Sequence, residues 1–443
     1  MELACESPCD ATGWRRAREC SCTSGDDALT RSHVPSWRTL LIAAVLADFA
    51  IRVVADVLNV RALRAEAPRG FDDLYDAERY RRAQDYTRER TRFGWIASSV
   101  RLAILVAFWV GGGFGAVDRW TRALGWSEVP TGLAFVAVLG VAQTLLRLPF
   151  SWYATFVVEE KYGFNRTTPR TFWKDAASGM GLAIALGGPL LAALLWLFRV
   201  AGPSAWVWCW ALVTAWTVAV QYVAPTWILP LFNRFTNLPD GALRDALLGL
   251  AERLGFPLAG VWVIDGSKRS SKANAFFTGF GARKRIALFD TLLDSLAPDE
   301  VLAVVAHEIG HYKRRHVQWG LAIAIAHTGV LLFLLSLVLE TPALFAAFGI
   351  DQPSAHASLV VFGILLTPIE VPLSLALNAL SRRHEYDADR FAVDAVGTGR
   401  DLARGLRRLA ADTLANLTPH PWYVALHHSH PPVVERVRVL ERG

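Results

Sequence analysis

The 443 residues contain no long run of Lys and Arg, no RNA-binding signature and no charged low-complexity tail. Nucleic-acid recognition needs a basic stripe or patch, and a net charge of +6 is too modest to supply one. No nucleic-acid partner is expected. Cysteine is scarce, at five residues, and Cys5, Cys9, Cys20 and Cys22 match no zinc ribbon or finger spacing. Residues 1–36, which carry those four, read as a polar, disordered tail from which no function is drawn. Cys209 lies in an apolar run and reads as packing. No apolar core of a cleavable signal peptide is found; the first such run starts near Leu40. Leu440-Glu441-Arg442-Gly443 is neither a prenylation box nor an ER-retention signal.

Apolar residues, by contrast, are abundant. They make up 53% of the chain, with 17 Trp, and mean hydropathy is positive. A soluble chain of this length would form two or three domains; this composition argues instead for one body embedded in a lipid bilayer. Seven runs are long enough to span it, at about residues 39–60, 93–114, 131–157, 179–198, 205–223, 317–338 and 359–380. The first carries Asp48, Arg52 and Asp56 at four-residue spacing, hence on one helical face. Charges at that depth are either salt-bridged glue between helices or the wall of a wet cavity, and Glu370 of the seventh run is expected to face inward with them. Residues 61–92 and 158–166 read as polar loops. Most loop Arg and Lys fall after spans one, three, five and seven, which places those loops, and the C-terminus, on the cytoplasmic side.

Between spans five and six the chain becomes soluble-like. An amphipathic helix is expected over 243–254, a strand over 261–265, and a β-hairpin from 274–280 and 285–289. A helix from about Pro298 then carries His307-Glu308-Ile309-Gly310-His311. Residues four apart share a helix face, so both imidazoles can reach one metal ion with Glu308 beside them, as in zincins. Two buried histidines and a capping Glu fit the bare motif equally well. After span seven, Glu385 and Asp389 are again four apart. Glu385 can complete a His-His-Glu set with water in the fourth position, and Asp389 can hold a ligand histidine by its second nitrogen. A solvated helix start is the alternative, although the topology brings both pieces to the same membrane face.

Longer stretches make the chain resemble the integral-membrane zinc metalloproteases of the CAAX prenyl protease 1 family. They are Leu148-Pro149-Phe150-Ser151-Trp152-Tyr153, Glu159-Glu160-Lys161-Tyr162-Gly163-Phe164-Asn165, Asn274-Ala275-Phe276-Phe277, the His-Glu-Ile-Gly-His run, the segment from Ser381 to Ala392, and His428-Ser429-His430-Pro431-Pro432. In order, they run from about residue 40 to the end. The resemblance implies a mainly α, polytopic fold of about seven transmembrane helices forming a chamber, with a zincin-type catalytic segment containing the short hairpin. It implies one Zn2+ per chain on His307, His311 and Glu385, Glu308 as catalytic base, and Asn274 and His430 near the scissile bond. Arg436 is read either as a binder of the substrate carboxylate or as a salt-bridge partner of Glu435 or Asp389. The expected organisation is tail 1–36, spans one to five in 37–225, catalytic segment 226–316, spans six and seven in 317–380, and a C-terminal catalytic segment 381–443. The expected activity is that of a membrane metalloendopeptidase at the cytoplasmic face, acting on a peptide or protein that is prenylated in the family. The alternatives are a broader quality-control or peptide-trimming protease and, remotely, a non-catalytic lipid- or peptide-binding chamber.

Overall fold

Long apolar runs that leave water must satisfy their own backbone polar groups, which makes helix their simplest solution. A computed structural model of the chain describes residues 36–278, 284–339 and 341–442. The four N-terminal cysteines, Phe280 and the turn of the hairpin lie outside those residues. The first rods are α1 (Trp37–Arg61), α2 (Ala77–Val110), the short α3 (Gly113–Ala123) and α4 (Glu128–Tyr153), which continues through a π-helical turn to Glu159. A second π turn joins α5 (Pro169–Leu182) to α6 (Gly188–Val200), and a third joins α7 (Ala205–Val223) to α8 (Leu229–Phe232). The soluble-like segment supplies α9 (Ala242–Arg253), α10 (Asp290–Ser295) and α11 (Pro298–Lys313). Then come α12 (His316–Val338), the short α13 (Pro342–Ala347), the 42-residue α14 (Ala355–Val396), and α15 (Arg400–Asp412), α16 (Pro421–His427) and α17 (Val433–Leu440).

Among the described residues, six rods are long and apolar enough to cross a membrane: Ala77–Val110, Glu128–Glu159, Pro169–Val200, Gly202–Phe232, His316–Val338 and Ala355–Val396. α1 supplies a seventh by length, since its 25 residues extend about 37 Å against a hydrocarbon core of about 30 Å. Its charges are partnered. Arg52 Nε donates to both oxygens of the buried Asp48 at 3.1 Å, and Asp56 accepts from Trp95 Nε1 at 3.0 Å. Glu370 is exposed on α14. The rods follow one another around a ring: α1 packs on α2, α2 on the turn after α4, α4 on α6, α6 on α7, α7 on α12, α12 on α14, and α14 on α1.

One end of that ring is pinched. A Cβ on Gly132 of α4 would meet Leu195 Cδ1 at 2.8 Å and His356 Cβ at 2.9 Å, so the absent side chain lets α4, α6 and α14 converge. His356 there faces Asp118 Oδ1 at 3.0 Å. Glu385 lies 29 residues further along α14, about 43 Å along a helix axis, so the candidate site occupies the opposite end.

At that end a four-stranded sheet forms from β1 (Phe235–Asn237), β2 (Leu258–Ile264), β3 (Ala275–Thr278) and β4 (Lys284–Phe289), in the order β1-β2-β4-β3. β3 and β4 make the expected antiparallel hairpin, with Ala275 opposite Leu288. A continuous core joins Phe71, Tyr75 and Tyr80 to the sheet, α11, α15 and α17.

Three element boundaries differ from expectation. Residues 77–92 are helix, not loop: Asp76 caps α2 by accepting from Arg79 N at 2.7 Å, and Arg88 pairs with Asp85 one turn back. Charge there marks a solvated helix face rather than a break. The fourth span does not start at residue 179 but at Pro169. The seventh span does not end at residue 380 either, because α14 runs unbroken into the segment carrying Glu385.

Candidate metal centre

Helix α11 begins where Pro298 takes its first position and Glu300 Oε2 accepts from Ala297 N at 2.9 Å, both favourable at a helix start. Its apolar face buries Val301, Val304, Val305 and Ile309. The opposing helix comes very close: a Cβ on Gly310 would stand 3.1 Å from Phe391 Cδ1 and 3.2 Å from Ala388 Cα. Gly310 and Ala388 therefore act as the contact point between α11 and α14, and residues on either side of each are brought face to face.

His307 Nε2 and His311 Nε2 are 3.1 Å apart. Glu385 offers Oε1 to His311 Nε2 at 3.3 Å and Oε2 to His307 Nε2 at 3.5 Å. All three donor atoms fall within 4.8 Å of one another. A tetrahedral zinc ion with bonds near 2.05 Å would separate two ligand nitrogens by about 3.3 Å, close to the spacing seen. Glu385 Oε2 is buried and faces three nitrogens, His307 Nε2, His430 Nδ1 and Arg436 Nη1, within 3.5 Å, none of them in hydrogen-bond geometry. Burial disfavours charge on His307, but the Asp389 and Glu385 carboxylates outweigh it and hold its pKa up at about 9. His307, His311 and Glu385 thus form a group that could hold a metal ion.

Groups behind the ligands fix their directions. Asp389 Oδ1 lies 2.9 Å from His307 Nδ1, and Asp389 is gripped in turn by the buried Arg436, Nη2 at 2.6 Å and Nε at 2.9 Å. Arg436 Nη1 is also 3.2 Å from Glu385 Oε2. Of the two roles considered for Arg436, the salt bridge to Asp389 is the one seen; Glu435 instead accepts from Tyr386 Oη at 3.3 Å. His430 is exposed, and its Nδ1 reaches Glu385 Oε2 at 2.8 Å. Glu308 is half-buried on the same helix, and burial raises its carboxyl above the ordinary range against the pull of His307 and His311. A base of raised pKa is better matched to proton transfer near neutrality.

β3 is the outer strand and packs beside α11. Asn274 stands exposed at its head. Phe289 N donates to Asn274 O at 3.0 Å, which sets the alternation of the hairpin: the N–H groups of Ala275 and Phe277 point to the open edge. Asn274 Oδ1 takes the first of these, accepting from Ala275 N at 2.9 Å. The segment leading into β3 is stapled to the spans. Lys272 Nζ donates to Glu159 Oε2 at 2.7 Å and to Tyr86 Oη at 2.9 Å, while Tyr86 Oη donates to Glu159 Oε1 at 2.6 Å. Arg269 makes two bonds to Asp175, at 2.7 and 2.8 Å. Sequence reasoning missed this network and also His316, whose Nδ1 lies 3.1 Å from His311 Nδ1. The only signal for His316 was a third histidine five residues past the motif, where the apolar span begins.

Comparison with known proteins agrees along the whole body. Residues 56–234 match the family model for the CAAX prenyl protease N-terminal region of five membrane helices, and residues 237–442 match that for peptidase family M48. The CAAX prenyl protease 1 homolog of Oryza sativa subsp. japonica is 35% identical over 401 residues, covering 87% of this chain and 93% of that protein. The CAAX prenyl protease 1 of Saccharomyces cerevisiae is 32% identical, covering 93% and 97%. The crystal structure of S. mikatae Ste24p superposes with a TM-score of 0.87 at 31% identity, covering 92% of this chain and 99% of that one.

Proposed function

This chain belongs to the CAAX prenyl protease 1 family, and from that premise we propose that His307, His311 and Glu385 hold one zinc ion beside which Glu308 acts as general base. The protein is a multi-pass membrane metalloprotease that hydrolyses peptide bonds. Zinc held by these residues would supply Lewis-acid charge at the site, which favours loss of a proton from water. The observation that carries the assignment is the convergence of two helix-borne imidazoles and one buried carboxylate, with Glu308 next in sequence to a ligand.

The chain's own residues divide the remaining work. A substrate strand adds to the open edge of β3, where Phe277 N donates to it, and Asn274 orients its carbonyl through the side-chain amide. Glu308 accepts the proton of the attacking water and returns it to the leaving amine. His430, exposed beside Glu385, donates to the oxyanion that develops on the scissile carbonyl. Asp389 and Arg436 hold His307 in the tautomer whose Nε2 lone pair is available. The substrate class follows the relatives' printed name, CAAX prenyl protease 1: a prenylated Cys-a-a-X tail. The basic loops that follow the odd-numbered spans support a cytoplasmic placement for the site.

The test is hydrolysis of a farnesylated Cys-a-a-X peptide and its unprenylated twin by the purified protein. Faster turnover of the farnesylated peptide is expected. Equal turnover of both would leave the peptidase assignment standing but remove prenyl selectivity.

A further inference from the structure

The two nitrogens of His311 have different neighbours. Nε2 faces His307 Nε2 and Glu385 Oε1, the metal side. Nδ1 faces His316 Nδ1 at 3.1 Å. A contact of that length between imidazole nitrogens needs one proton between them, since two lone pairs or two N–H groups repel. The other end of the ring decides which one owns it: a histidine whose Nε2 lone pair serves a metal carries its proton on Nδ1. On the metal reading above, we propose that His316 is a positioning residue that accepts the His311 Nδ1–H proton and so fixes the tautomer and ring plane of the second histidine ligand.

The fold is arranged to deliver this ring. α11 ends at Lys313 and α12 starts at His316, and the reversal between them is made at Arg315, whose φ of 60° is left-handed. Side-chain-bearing residues other than Asn and Asp seldom adopt that conformation. Held there, the chain turns His316 back toward the helix it has just left. His316 is buried, at 9% exposure. Its ring lies flat on His384 of α14, with centroids 4.0 Å apart and planes within 8°. His384 precedes Glu385, so the ring that accepts from the second ligand is clamped by the neighbour of the third.

The two histidine ligands are thereby oriented by unlike partners. His307 has the Asp389 carboxylate, whose charge is matched by Arg436. His311 has a neutral imidazole, which as acceptor must be the Nε2–H tautomer. A neutral acceptor fixes direction without adding a second anion beside Glu385, and so leaves the Lewis acidity of the bound ion less diminished.

Two variants separate this role from mere packing. His316→Phe keeps a ring on His384 but removes the acceptor. His316→Asn gives up the ring but keeps an acceptor oxygen near the position of Nδ1. Full-length proteins in detergent are compared by competition for zinc against a chromogenic chelator and by the d–d absorption of the cobalt-substituted forms. His316→Phe is expected to weaken metal binding by about 10–100-fold and to shift the cobalt bands, and His316→Asn to recover most of that loss. Wild-type affinity and unchanged bands in His316→Phe would overturn the proposal. So would an Asn variant as impaired as the Phe variant, which would make the ring's packing the whole effect. Should His316→Phe fail to fold, His316→Leu takes its place with the same outcomes. A wild-type protein that takes up no metal would defeat the metal reading itself, and it is measured first.

Discussion

Arg436 shows how much of the centre depends on groups that touch no ligand nitrogen. It is buried, grips both oxygens of Asp389 and stands 3.2 Å from Glu385. Removing it would take away the guanidinium that the two buried carboxylates share. Breaking such a pair from one side costs about 3–5 kcal/mol. Arg436→Met is therefore expected to lower the thermal unfolding midpoint in detergent by several degrees, and an unchanged midpoint would contradict its placement. At this scale the site was legible where chemistry is tied to short spacing. His307, Glu308, His311, Glu385 and Asp389 could all be picked out because four-residue repeats on helices imply a shared face. The partner of Arg436 was not legible, since Asp389 and Glu435 are both acidic and only packing between α14 and α17 chooses between them. His316 was missed because its role rests on the left-handed turn at Arg315, and an arginine gives no sign of one.

At the scale of elements, two close approaches assemble the centre. Gly310 against Ala388 sets α11 on α14, and the hairpin sets β3 beside α11. The first could not be read ahead, because Gly310 and Ala388 reveal their close approach only when the helices meet. The second was visible as two apolar strands around a Gly-containing turn. Charge misled the reading of α2, because a run of both signs was taken for loop when i,i+3 pairing makes it a helix face. Edge addition to β3 gives a prediction that belongs to the strand. Phe277 N points away from β4, so Phe277→Pro removes an outward donor while sparing the hairpin's own bonds. The variant is expected to keep its metal but to raise KM severalfold or abolish cleavage, as read by peptide kinetics beside metal content. Normal kinetics would argue against strand addition.

For the whole molecule, seven rods in a ring put the pinched end and the catalytic end on opposite faces of the bilayer. Loop composition alone suggested which face is which, and six rods long and apolar enough to cross, with α1 added by length, are consistent with the expected count of about seven although the boundaries of several spans moved. Single cysteines in a background without the native five would test the orientation. Asp351→Cys at the pinched end is expected to react with an impermeant thiol reagent on intact cells, whereas Arg69→Cys and Glu441→Cys should react only after lysis. Reaction of Glu441→Cys in intact cells would reverse the assignment. The central claim is that one ion is held by α11 and α14 and that Glu308 is the base beside it. Zinc per chain and peptide hydrolysis, measured together in wild type and Glu308→Gln, test it most directly. One zinc is expected in both proteins, with a loss of about 10²–10⁴-fold in turnover for Glu308→Gln. A wild type without zinc, or a Glu308→Gln variant that cleaves at the wild-type rate, would contradict it.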